Sequence, residues 1–289
     1  MELSWVMKLR IAAAAAVGIA LIGVLAWPLA ESSAASGSVN YGGAAILVLL
    51  AFAAGLAAFF LSWPYGWEIG ILAAPFGLAF WAVRSGSMAD LIRLNPTVAQ
   101  RQALVASLRL EPIFWLLIVA AGFAGPLLCR ALLSKKDSDG GKKKQQYNFL
   151  SAIAALAGSA VVAHLFIRMF AQDIRHSDSS FHSVTAQPAI GQVAFAVLVS
   201  FGFAAFLAKK YLNASYIWPS IATGLVTAFA VSAYSGKIQY LTQNWPVDFF
   251  PNAVISILPV QMVAFGTLGS VAGYWMAMRY DYWRQHESG

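Results

Sequence analysis

Eight apolar runs, each at or near the length of a bilayer crossing, alternate with short segments that hold all of the chain's lysines. The runs cover residues 11–30, 41–61, 67–83, 112–133, 147–171, 190–208, 216–233 and 252–278. Backbone in hydrocarbon must satisfy its own hydrogen bonds, and runs of this length do so as helices. The pattern predicts an all-α, polytopic transmembrane helix bundle of about eight spans. Composition agrees, because 60% hydrophobic and 11% charged residues cannot clothe a soluble domain of this size.

Charge placement gives an orientation. With the N-terminus in the cytoplasm, twelve Lys and Arg fall on the cytoplasmic side and seven on the other. The lysines alone divide eight to one, with Lys237 the exception. Both termini are therefore expected in the cytoplasm and the chain in a plasma (inner) membrane. The net charge of +7 sits beside apolar spans, so the expected partner is the lipid bilayer, with other membrane subunits next to it and no nucleic acid. Lys8 and Arg10 precede a first run of about twenty residues, longer than the apolar core of a secretory signal, so it reads as a retained span.

The chain reads as one integral membrane domain, 1–289. Within it, a four-span half over 1–134 and another over 147–289 flank the basic loop 135–146, which is polar and glycine-containing. Shared features in the same order suggest a 4+4 tandem repeat. Gly55-Leu56-Ala57-Ala58-Phe59-Phe60-Leu61 matches Gly202-Phe203-Ala204-Ala205-Phe206-Leu207-Ala208, and a Trp-Pro pair follows each (Trp63-Pro64, Trp218-Pro219). Gly266, Gly269 and Gly273 lie on one face of the last span and predict close helix packing.

The loop after the third run promises short helices. Ser87 and Asp90 are spaced as a capping box, and Asn95-Pro96 reads as an N-cap with proline at the first helical position. Beyond it Val98, Leu104, Val105 and Leu108 are read as the apolar face, with Arg101 and Gln102 opposite. Eight tryptophans, Trp115 among them, flank spans as interface anchors do.

Three groups of residues have chemistry to offer. Tyr216, Ser220, Thr223 and Thr227 form a hydroxyl stripe along the seventh span, ending at Tyr234; it is expected to face the bundle interior, as interhelical glue or as the lining of a solute path. His164 and Arg168 share a face of the fifth span, with His164 roughly 12 Å inside its end at 1.5 Å per residue. Beyond that span His176, His182 and Asp178 are chemically suitable metal ligands, although their spacing matches no compact metal motif. The ordinary alternative has Arg168 and Arg175 pairing with Asp173, Asp178 or lipid phosphate.

Other chemistry finds little footing. The sequence has no GxSxG, no HExxH, no glycine-rich phosphate loop and no second intramembrane histidine for a bis-histidine haem. Cys129 stands alone in an apolar run. No cofactor and no catalytic residue is predicted. Three functions follow in order: a non-catalytic subunit or scaffold of a larger membrane complex; a transporter or channel for a small, weakly polar or anionic solute; and a membrane-embedded metal or redox enzyme.

Overall fold

The computed structural model describes residues 4–30, 41–133, 149–172 and 174–287. The basic loop 135–146 and Asp173 lie outside the described residues. The chain is an all-α membrane helix bundle. Among the described residues, seven helical segments are long and apolar enough to cross a membrane: Trp5–Leu29, Gly42–Leu61, Gly66–Arg84, Val98–Leu133, Phe149–Phe170, Ile190–Leu212 and Ile217–Ser235. The helices divide between two compact units.

The first unit holds α1 (Trp5–Gly18), α2 (Trp27–Ala30), α3 (Tyr41–Leu61), α4 (Gly66–Ile69), α5 (Ala73–Arg84) and most of α8 (Glu111–Leu133). Two of its spans are irregular. A π-helical stretch, Ile19–Leu25, follows α1 and closes with the Ala26 amide on the Leu21 carbonyl. A 3₁₀ turn, Gly70–Leu72, joins α4 to α5, so the third run is a broken helix rather than one rod. The two irregular spans touch. A Cβ at Gly18 would overlap the Ala73 carbonyl, and one at Gly77 the Gly18 carbonyl. At the far end the Arg84 guanidinium lies 4.2 Å from the Trp27 ring and donates to the Gly23 carbonyl at 3.3 Å.

The second unit holds α6 (Met88–Leu94), α7 (Val98–Leu108), the first turn of α8, α9 (Phe149–Phe170), α10 (Ile190–Leu212), α11 (Ile217–Ser235), α12 (Ile238–Asn244) and α13 (Pro259–Glu287). A small antiparallel sheet, β1 (Arg175–Asp178), β2 (His182–Ala186) and β3 (Phe249–Phe250), pairs in that order. The sheet, α6, α7 and α12 form a cap over one end of this helix group.

α13 is its axis. Residues 253–271 are buried without a break. Between apolar helices in lipid the hydrophobic effect contributes little, so association rests on close packing. Here α10 and α13 meet backbone to backbone: a Cβ at Gly269 would overlap the Leu198 carbonyl, and one at Gly273 the Gly202 carbonyl. The glycine face of the last span is thus used within the chain. α13 is not among the seven apolar spans, and its position explains why: Gln261, Thr267 and Ser270 are all at most 2% exposed, on a helix wrapped by protein rather than lipid. The eighth run also begins later than expected, at Pro259, because residues 251–258 form turns beneath the cap.

Local signals correct two expectations in the loop before α8. The Ser87–Asp90 capping box forms as read. Asn95, however, closes α6, and α7 is capped by Thr97, whose side chain and Gln100 form a second box. Arg101 lies on the buried face of α7 with Leu104, Val105 and Leu108, not opposite them.

Candidate functional site

The cap of the second unit is where ionisable side chains gather, and most of them are engaged in holding it. The segment after α9 forms the β1–β2 hairpin, with Asp178 paired across the ladder to His182. His182 takes a positive φ of 64° at the turn. Asp178 Oδ1 accepts from the Ser180 and Phe181 amides, both at 2.8 Å, so it closes the turn of its own hairpin. Its Oδ2 accepts from the Trp245 indole at 2.6 Å and the Tyr240 hydroxyl at 3.0 Å. One carboxylate therefore ties the hairpin to α12 and to the chain leading into β3.

The histidines beside it are not gathered round Asp178 as ligands. His176 and His182 are exposed, and the His176 ring packs 5.4 Å from Phe249 and 6.1 Å from Trp245. Among the described residues no three His, Cys, Asp or Glu side chains are placed to hold a metal. Among the described residues no arginine pairs with Asp178; Arg93 pairs with Asp248, bidentate at 2.6 and 2.7 Å, and with Asp90 at 3.4 Å.

Partial burial raises the Asp178 carboxyl, but its hydrogen bonds from Trp245, Phe181, Ser180 and Tyr240 together outweigh this and hold it below its usual value. A depressed carboxyl stabilises the folded hairpin fully above the ordinary aspartate range. That contribution is lost as pH falls below about 4 and through the folded value. Asp178→Ala is expected to speed amide exchange across residues 175–186 on the order of tenfold, leaving α10 and α13 unchanged. Wild-type protein should show the same loosening in acid, after correction for intrinsic exchange. Equal exchange in both proteins at neutral pH would refute the role.

A second network sits on α7. Arg101 is 6% exposed and donates through Nε to the Asn95 carbonyl at 3.1 Å and through Nη1 to Thr242 Oγ1 at 2.8 Å. Arg109 donates to Ser235 Oγ at 2.7 Å. Gln187 joins three elements: its Oε1 accepts from the Ala89 amide, and its Nε2 donates to the Pro188 and Ser256 carbonyls. Gln261 Nε2 donates to the Gly86 carbonyl at 2.8 Å, fastening the start of α13 to the loop before α6.

The hydroxyl stripe faces the interior of the second unit, as expected. Ser220, Thr223 and Thr227 are at most 3% exposed, and Tyr216 is half-buried. Each of the three small hydroxyls donates to a carbonyl of its own helix: Ser220 to Tyr216 at 2.9 Å, Thr223 to Ser220 at 2.6 Å and Thr227 to Thr223 at 2.8 Å. The Tyr216 ring packs edge-on to Tyr274 of α13. His164 is half-buried on α9, and Arg168, one turn on, is exposed.

One ionisable group here is not among the candidate site residues of the sequence. Glu111, the first residue of α8, is 8% exposed. Its Oε2 lies 3.4 Å from the Trp115 indole nitrogen, and its Oε1 is buried with no hydrogen-bond partner among the described residues. Trp115 is itself 2% exposed, so it is a buried side chain rather than an interface anchor. The i,i+4 spacing of Glu111 and Trp115 was the available signal. Comparison with protein families, with curated proteins and with solved structures finds no match.

Proposed function

We propose that this integral membrane protein is non-catalytic and serves as a subunit or scaffold of a larger membrane complex, in a plasma (inner) membrane with both ends in the cytoplasm. The observation that carries the reading is on α9. Gly158 lies mid-span with nothing within 4 Å of where its Cβ would be, whereas Gly18, Gly55, Gly77, Gly122, Gly269 and Gly273 each press against another helix of this chain. Ala154, Ala157, Val161 and Leu165 are exposed beside it. Small residues on a lipid-exposed helix face let a second helix approach to backbone distance.

The polar groups give the same reading support. Hydroxyls that a solute path would offer are bonded to their own helix, and Asp178, the carboxylate of the histidine set, already accepts four hydrogen bonds. Internal duplication also gains support, with 1–134 and 147–289 as corresponding halves. In the first, Gly55 of the second span meets the Gly122 carbonyl of the fourth. In the second, Gly273 of the last span meets the Gly202 carbonyl of the sixth.

Gly158→Leu tests the reading. Nothing in the chain obstructs the new side chain, so the purified protein should melt at the wild-type temperature while its native assembly becomes smaller. Native mass spectrometry from lipid nanodiscs reads the change. A wild-type protein that runs as a lone chain, or a Gly158→Leu protein with an unaltered assembly, would count against it.

A further inference from the structure

We propose that Glu111 is a binding site for an exchangeable monovalent cation, a proton or a sodium ion, at the junction of α7 and α8. This goes beyond the scaffold reading and stands or falls separately from it. The argument begins with an imbalance. Ser62, Ser159 and Thr267 also have buried side-chain oxygens without partners among the described residues, but an unbonded neutral hydroxyl is a small deficit. A carboxylate in the same position is a large one, because an unpaired buried charge forfeits its hydration without recompense. The single long contact from Trp115 does not replace that hydration. A carboxyl so placed is completed by a cation on its open oxygen, and unsatisfied buried groups in native proteins call for such an explanation.

The neighbouring charges do not supply the cation. Arg101 is directed to Asn95 and Thr242, and Arg109 to Ser235 at the end of α11. Lys237, at the start of α12, lies 4.3 Å over the Phe181 ring. Tyr234 on α11, 4% exposed, carries a phenol and not a cation. The adjoining arginine bonds hold the α7–α8 turn in place while the carboxyl itself stays open.

The test uses a carbodiimide, which reacts with carboxylic acids in apolar surroundings. The acid O–H adds across one C=N bond of dicyclohexylcarbodiimide, and the O-acylisourea rearranges to a stable N-acylurea, so the peptide gains the whole reagent and nothing leaves. Full-length protein in nanodiscs is labelled between about pH 5 and about pH 9, and peptides are read by mass spectrometry. We expect labelling at Glu111 that falls as pH rises and disappears in Glu111→Gln, a neutral variant of the same shape. Protection by sodium chloride, against choline chloride at equal ionic strength, would assign the site to sodium in competition with the proton. Labelling without protection would assign it to the proton alone. Failure of Glu111 to label anywhere in that range, or labelling independent of pH, would overturn the proposal. The wild-type pH series decides the matter even if the variant does not fold.

Discussion

Gly273→Leu is expected to abolish the folded protein. The new Cβ would overlap the carbonyl oxygen of Gly202, which is backbone in the middle of α10 and has no rotamer by which to withdraw. Separating α10 from α13 to admit it would also open the neighbouring contact, where Gly269 meets the Leu198 carbonyl. Overpacking against movable side chains costs about 1–3 kcal/mol, and against fixed backbone on the central helix the cost should reach about 3 kcal/mol or more. Size-exclusion profiles and thermal melts in detergent read the outcome. The same substitution at Gly158 is the internal control, since it adds the same volume where nothing stands. Should Gly273→Leu remain monodisperse and melt with wild type, the backbone contact of α10 and α13 is not what holds the second unit together.

Arg101→Ala is expected to be the most damaging change in the cap, ahead of the more conspicuous ion pair. Arg93 and Asp248 make two short bonds, but their side chains are 53% and 39% exposed, so water and salt screen them and the pair contributes at most about 1 kcal/mol. Arg101 is buried and joins α7 to the end of α6 through Asn95 and to α12 through Thr242. Its loss removes two charge-assisted bonds and leaves a void, a cost of about 3 kcal/mol. Arg101→Lys should fall between, since an ammonium keeps the charge but lacks the fork that reaches both acceptors. Melts at low and high salt separate the two arginines. The Arg93→Ala deficit should shrink as salt rises, and the Arg101→Ala deficit should persist. A larger deficit for Arg93→Ala at either salt would reverse the ranking.

Local signals were legible in the sequence, and those that depend on partners were not. The Ser87–Asp90 box was readable because all its atoms lie within one turn. The next N-cap reads as Asn95-Pro96 because proline is a strong cue, while Thr97 and Gln100 carry the box's three-residue spacing less visibly. Arg101 was assigned outward by its charge, although 101, 104, 105 and 108 fall on one helical stripe with the buried leucines. The hairpin at 175–186 was hidden because its strands are rich in serine and histidine and are held by one aspartate reaching Tyr240 and Trp245 far along the chain. Membrane spans were legible from lipid contact, which is also why α13 is the least apolar of the long helices: its surroundings are other helices. Glu111 looks in the sequence like any acid at the end of a span, since burial and the lack of a second partner are properties of the assembled unit.

The π-helical stretch has a consequence for how this chain tolerates insertions and deletions. A turn closed from residue i to i+5 holds one residue more than an α-turn, so Ile19–Leu25 is a place where chain length and helix phase are uncoupled. Deleting one residue there would let the stretch relax to ordinary α-helix without breaking the span. It would also leave everything beyond close to its present phase, because the π stretch turns about as far as an α-helix one residue shorter. Trp27 would stay on the side of the Arg84 guanidinium and of Trp81, whose ring centroid lies 4.6 Å from its own. The surplus residue is therefore one the first span can gain or lose at this point while the same side chain stays over that arginine.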